Sequence, residues 1–565
     1  MKTKKLLASL LLTSTLSFGQ HYNWHNNLVM SGSNNSSITH TDAIDYGLGQ
    51  LLTVGRFAGT IDLDPSSGTS IHSSLGSTLY TNNDWFIQKT DGAGNVLYTR
   101  ILAMSDATSQ VEIVDAKIDE NGSVILLGTL QGTVNSVGGT TSQQVSTPEE
   151  DGAMIILNYN PSGVLYYSKV FQASQYDLNP INLTIRNNDI EIWAELFTSS
   201  DIDPSPNAEQ IVSNLSIVKI ELQSNGSFSD YATIAYPGQT NQVILNEDFQ
   251  NSYYAIIGNF GMQTTFDPAV GIQVPIPNKL NKFYWVLDNN LNYVTHGLSV
   301  QNYGISEMRA EFAQGKLILG GGFQDSIDFD LSTPEYDMNT ANYAGYLYAI
   351  DVETNQMIWS KQYSNLTTLD QNSMSASTEE NAFYLFMPCF TGQDASGNGT
   401  DIVASPLVVL AKYELSTGNY LGKMTLPYGM TSTRLLIYYT QEDMNVLISG
   451  TTANTTDIDP SANVANSTAS SSFYAKYSTL APTNSLVENE LQALVFPNPA
   501  TSQFTVQGLT ENASYRLLTV SGEEVQRGTI EGNKHLSVTN LANGIYFLHI
   551  ATDSKQGIVK FVVRH

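Results

Sequence analysis

The chain has 565 residues, with 25 Lys and Arg against 53 Asp and Glu, giving a formal charge of −28. So acidic a surface repels phosphate backbones, which excludes nucleic acid as a natural partner, and the length exceeds one ordinary domain unless that domain is a repeat assembly. Abundant Tyr, Thr, Ser, Asn and Gly, without long helical patterns, point to strands joined by many turns.

Residues 1–19 read as a secretory signal peptide. Lys2, Lys4 and Lys5 precede an apolar run from Leu6 to Leu12, and small residues lead to a cleavage point near Gly19 or Gln20. The run is shorter than the ~20 apolar residues that cross a bilayer, and no later segment is long and apolar enough to do so. An exported protein without a transmembrane span is expected. The single cysteine, Cys389 in FYLFMPCF, cannot form an internal disulfide and is expected as a buried apolar side chain.

From residue 20 to 480 the chain repeats itself. QLLTVGRFAGTIDLDPSS, a loop and NDWFIQKTDGAGNVLYTRI form the first copy, and the same order restarts at residues 124, 190, 253, 316, 383 and 445. Register glycines mark the period: Gly55 and Gly128 lie 73 residues apart, Gly258 and Gly321 63 apart. Each copy has an upstream strand, such as VEIVDAKID before Asn121-Gly122, making four strands a, b, c and d. DGAGN, NPSGV, QSNGS and STGN supply hairpin turns between c and d. The seventh copy lacks strand d. HYNWHNNLVMSG, near the N-terminus, resembles it, Trp24 matching Tyr98, Tyr166 and Trp359, and borrowing that strand would remove an open sheet edge. The expected fold is all-β: a seven-bladed β-propeller over 20–480 closed by the N-terminal strand, then a linker at 481–494 and a small Ig-like β-sandwich at 495–565.

A short acidic pair recurs at the end of strand b. Asp62 and Asp64 stand in TIDLDPSS, Asp201 and Asp203 in SDIDPSP, Asp328 and Asp330 in SIDFDLS, and Asp457 and Asp459 in TDIDPSA, with a weaker TTFDPAV from Thr264. Alternation along a strand puts both carboxylates of a pair on one side. Two readings stay open. Asp caps turns and Pro fixes φ, so the pair can simply end a strand. It can also contribute to a Ca²⁺ site, which needs six to eight oxygens where each loop offers two carboxylates.

Catalytic constellations are not visible. His21, His25, His40, His72 and His296 share no repeat position and form no HExxH, and there is no GxSxG elbow. Trp85, Trp193, Trp285 and Trp359 fall within strands, where core packing is expected. Carboxylates from different blades could still meet to cleave a glycoside. The leading reading is therefore an exported, non-catalytic binding module for an unidentified extracellular glycan or protein. Its rivals are a polysaccharide- or peptide-degrading propeller enzyme and an adhesin.

Two resemblances add to this. The first copy, through Gly55, Phe57, Gly59, Thr60, Asp62, Asp64, Pro65, Asp84, Phe86, Lys89, Asp91 and Gly94, resembles the β-propeller repeats of secreted bacterial proteins; the later copies are eroded. The C-terminal segment resembles the type A C-terminal sorting domain of the type 9 secretion system of Bacteroidota. The matching residues are Phe496, Pro497, Asn498 and Pro499, the YRLLTVSGEEV block with Gly522, then Leu541, Asn543, Gly544, Tyr546 and Lys560. The resemblance implies passage through the outer-membrane translocon, usually with removal of the domain, and release or attachment at the cell surface.

Overall fold

The computed structural model describes residues 21–30, 37–47, 50–64, 69–75, 83–137, 143–147, 152–174, 176–186, 188–205, 209–246, 252–267, 269, 271–304, 308–329, 338–364, 374–377, 381–397, 399, 401–426, 430–439, 444–452, 456–459, 466–467, 471–478, 494–507, 512–519, 524–530, 535–552 and 556–565. The signal peptide, linker residues 481–493, Gly522 and Asp330 lie outside them. Every regular element among the described residues is a strand. The chain divides into two compact units, Met1–Leu480 and Ala481–His565.

The first unit consists, among the described residues, of seven antiparallel modules of four strands. Module 1 runs Ser37–Gly47, Gln50–Ala58, Asp84–Asp91, Val96–Met104. Module 2 runs Gln110–Ile118, Val124–Gln131, Ala153–Tyr159, Leu165–Ser174. Module 3 runs Leu178–Arg186, Asp189–Leu196, Ser216–Leu222, Phe228–Ala235. Module 4 runs Thr240–Asn246, Tyr253–Asn259, Leu280–Asp288, Tyr293–Gly304. Module 5 runs Arg309–Ala313, Lys316–Asp328, Met338–Asp351, Gln356–Ser364. Module 6 runs Met374–Ser377, Ala382–Cys389, Leu407–Glu414, Tyr420–Leu426. Module 7 has only Met430–Tyr439, Met444–Thr452 and Ser471–Ser478 from its own stretch.

The fourth strand of module 7 is His21–Met30, antiparallel to Ser471–Ser478 with His21 opposite Ser478 and Val29 opposite Ser471. The segment expected to complete the last copy does pair with it. The first strands of successive modules also pack side by side, 1 on 2 through to 6 on 7, and Met430–Tyr439 of module 7 packs against Ser37–Gly47 of module 1.

Burial explains the sequence pattern. Middle strands covered on both faces by neighbouring modules read as apolar runs: Ala153–Tyr159 is buried at every position and Asp84–Asp91 at all but the last. Edge strands such as Gln110–Ile118 alternate instead. Trp85, Trp193, Trp285 and Trp359 are all buried, as expected, and so is Cys389. The Trp85 and Trp359 indoles donate to Val111 and Leu415 carbonyls of the following modules, both at 2.9 Å.

One feature was not legible as structure. The stretch between strands b and c forms a hairpin arm in several modules, as in Thr60–Asp62 with Ile71–Ser73 and Thr133–Val137 with Gln143–Ser146. The arm of one module pairs with strand d of the module before it: Val134 lies opposite Met104, and Asp328 opposite Val300. Asp62 of module 1 lies opposite Val29, so His21–Met30 occupies the d position here too.

The second unit places two sheets over one core. Leu494–Phe496, Gln503–Gln507 and His535–Ser537 form one sheet; Glu524–Ile530, Ala513–Thr519, Gly544–Ala551 and Gln556–Val563 form the other. Phe504, Val506 and Leu536 meet Leu517, Leu548 and Phe561 between them.

Candidate functional sites and the sorting domain

The acidic pairs act on their own loops. Asp62 Oδ1 accepts the amides of Asp64 (3.0 Å) and Ser70 (2.8 Å), which ties the two legs of the arm together. Asp201 Oδ1 does the same with Asp203 (3.1 Å) and Gln210 (2.8 Å), and Asp457 Oδ1 takes the Asp459 amide at 3.1 Å. Asp203 Oδ1 goes on to the Ser205 amide at 2.8 Å. An Asp accepting from the residue two positions on forms an Asx-turn. Oδ1 of Asp62 and of Asp201 is thus already held by two N–H donors. Among the described residues no three His, Cys, Asp or Glu side chains gather where one ion could reach them. Asp62 and Asp328 sit where modules 1 and 5 pair with the preceding d strand, a role the sequence did not disclose.

A second cluster lines a cavity of about 460 Å³ between the first strands of modules 2 to 5. These strands slip register by one residue, at Ile113/Asp115, Pro180/Asn182 and Thr240/Gln242. Such a bulge re-aims the side chain that follows it. Asp115 Oδ2 consequently accepts the Leu183 amide of module 3 at 3.1 Å. The Asn182 carboxamide spans Val243 of module 4, donating to its carbonyl (2.8 Å) and accepting its amide (3.2 Å). Gln242 spans Ala310 of module 5 in the same way, at 3.3 and 3.2 Å. A side-chain amide thus stands in for a missing rung of β-ladder, because adjacent modules splay too far for backbone to meet backbone. Lys117 pairs with Asp115 at 3.2 Å, and Arg309 donates to the Asn241 carbonyl at 3.0 Å.

Charges between modules add to these clips. Arg56 of module 1 meets Glu112 of module 2 at 3.1 Å; burial pushes the Glu112 carboxyl up, and Arg56 opposes that. Glu195 is also raised by burial, against the Thr240 amide that donates to it at 2.6 Å and the Asn179 carboxamide. The Cys389 thiol is pushed up to about 12 by burial, which makes it a poor nucleophile.

In the second unit the motif residues hold strand ends. Asn498 Oδ1 accepts the Val562 amide at 2.9 Å, and Asn543 Oδ1 the His565 amide at 2.7 Å. Tyr546 is buried and donates to the Ala542 carbonyl at 3.0 Å, closing the turn before its strand. Gly544 pairs with Val563, and Lys560 is exposed opposite Phe547. Pro497, Pro499 and Phe496 are exposed, Phe496 at 67 %. Residues 494–564 match the family described as "Secretion system C-terminal sorting domain". This segment is a type 9 secretion sorting domain. Its presence indicates export to the cell surface or secretion, and among the described residues no helix is long and apolar enough to cross a membrane.

No curated protein matches the chain. Among solved structures, a europium-containing methanol dehydrogenase is similar at 8 % identity and TM-score 0.35, over 80 % of this chain and 93 % of its own. The phage phi92 endosialidase is similar at 8 % and 0.34, over 96 % and 87 %. PorZ of Porphyromonas gingivalis, a bacterial surface component of the type-IX secretion system, is similar at 8 % and 0.15, over 96 % and 100 %. Likenesses at these scores carry no functional argument.

Proposed function

We propose that the sorting domain delivers a closed seven-bladed β-propeller, and that the propeller is a non-catalytic binding module acting at the cell surface or outside the cell. The sorting domain itself is read as an Ig-like sandwich. Closure is supported by His21–Met30, which lies between the last strand of module 7's own stretch and the arm of module 1. The observation that carries the functional reading is the use of the inner polar groups. Asp115, Asn182 and Gln242 are engaged with the backbone of the next module, which makes the inner strands a rigid scaffold. The acidic pairs are read as arm anchors on the same ground, with the calcium reading of Asp62, Asp64, Asp201, Asp203, Asp328, Asp330, Asp457 and Asp459 left to a chelator test. Incubating the purified mature chain with a glycan and protein panel, and following both retention and product release, tests the function. Retention without product is expected; turnover of any member would overturn the reading.

A further inference from the structure

Three joints between modules are filled in one way. An aromatic on strand d lies against the glycine of the next module's c–d turn: Tyr98 against Gly163, Tyr167 against Gly226, and Trp359 against Gly418. A Cβ on those glycines would meet the rings at 2.6 to 2.7 Å. Register identifies the equivalent positions. Tyr98, Tyr167 and Trp359 face Lys89, Asn158 and Ala349, and the corresponding residue in module 4 is Thr295, facing Val286. Two residues on, modules 1, 2 and 5 carry Arg100, Lys169 and Lys361, whereas module 4 carries Gly297. Module 4 thus has neither filler, nor have module 3, with Asp230 and Ala232, and module 6, with Gly422 and Met424; over Gly297 the Tyr284 ring takes the space, where a Cβ would meet it at 2.3 Å. The turn of module 5 has Asn355 in the left-handed region (φ 55) instead of a glycine, and its side chain crosses the joint, accepting from Tyr284 Oη at 3.0 Å and donating to the His296 carbonyl at 3.3 Å.

What remains is a cavity of about 550 Å³ at this joint, within the size range of small-ligand sites. Its lining includes Tyr284, Phe329 and Tyr348 and the Asn355 turn, with Met357 and Gln356 exposed at the mouth and Gln273 half-buried beside it. No described lining residue is Asp, Glu, Lys or Arg, in a chain that has 53 acidic and 25 basic residues. Rings can cover the C–H face of a pyranose while carboxamides at the mouth meet its hydroxyls; an acidic sugar would find no counter-charge and would be desolvated at a cost.

We infer that the ring-lined cavity between modules 4 and 5, whose described lining carries no formal charge, binds an uncharged saccharide. This rests on the binding-module reading and gives that module its ligand class. Calorimetry on the full mature chain with cello-, laminari-, malto- and manno-oligosaccharides, and with oligogalacturonate and sialyllactose as charged comparisons, tests it. Met357→Glu places a charge at the exposed mouth, and Leu97→Glu places one on the exposed d strand of module 1. The expected result is saturable binding of an uncharged oligosaccharide that weakens about tenfold or more in Met357→Glu and is unchanged in Leu97→Glu, with both variants melting like the parent. Absence of binding by every uncharged probe, binding of charged probes alone, or equal binding in both variants would overturn it. Retention of a ligand elsewhere would leave the binding-module reading standing, and only turnover would remove that.

Discussion

The joint between modules 1 and 2 and the joint between modules 4 and 5 are built on one backbone plan and filled differently. At the first, Tyr98 covers Gly163, Arg100 donates to the Gly163 carbonyl and, at 3.1 Å, to that of Ser162, and the Trp85 indole donates across to Val111. At the second, Thr295 stands where the aromatic would be, the Tyr284 ring of strand c covers Gly297, and the Asn355 side chain of the turn reaches back to Tyr284 and the His296 carbonyl. The comparison teaches that the repeat fixes where strands go, whereas the ring at a joint can come from strand d, as Tyr98 does, or from strand c, as Tyr284 does.

Four substitutions or treatments sharpen that contrast. The largest effect is expected for Gly163→Ala, which meets both a left-handed φ of 77 and the Tyr98 ring at 2.7 Å; a loss of about 3 kcal/mol in denaturant unfolding is predicted. Gly261→Ala, with open space around it, serves as the control and is predicted to change stability by less than about 1 kcal/mol. A loss in Gly163→Ala no larger than in Gly261→Ala would show that the filled joint is not tightly packed.

Next comes Asp84, buried at the start of a middle strand and accepting the Met104 amide at 3.0 Å. Burial raises its carboxyl from 3.8 to about 6, the Met104 bond opposing. Because the folded value lies above the unfolded one, the ionised form burdens the fold. This group's contribution improves as pH falls from about 6 toward 3.8, by on the order of 2 kcal/mol. Unfolding titrations of Asp84→Asn should lack that component of the parent's pH dependence; an unchanged profile would contradict the assignment.

Asn182→Ala removes a clip that satisfies both backbone groups of Val243, and about 1–2 kcal/mol should be lost. The smallest effect concerns the acidic arms. Asp62 and Asp201 already hold amide donors, so a calcium chelator is predicted to leave the melting temperature unchanged; a marked fall would return the calcium reading.

Much of this was legible beforehand for a physical reason. Strand order, the seven copies and the borrowed N-terminal strand follow from alternation and turn glycines, which local sterics impose on every copy alike. Tyr166 was matched to Tyr98, but strand d bulges at that point, so Tyr167 faces Asn158 and Tyr166 is left 69 % exposed. The clips were not legible: Asp115, Asn182 and Gln242 do one job with three side chains, and only the bulge gives them a common direction. The arms looked like loops because their strands are as short as Ser200–Asp201. The joint between modules 4 and 5 was not legible because its ring, Tyr284, comes from strand c and covers a glycine of strand d, which a repeat pattern with eroded copies does not show.

Cross-linking tests the proposed closure of the ring by the N-terminal strand most directly. Leu28 lies opposite Ser472, and the sole native cysteine, Cys389, is buried and out of reach of oxidants. Leu28→Cys with Ser472→Cys should form an intramolecular disulfide rapidly on mild oxidation, seen as a mobility shift that reductant reverses. Failure to cross-link, or equal cross-linking when Leu28→Cys is combined with Ser432→Cys on the far strand of module 7, would contradict the account.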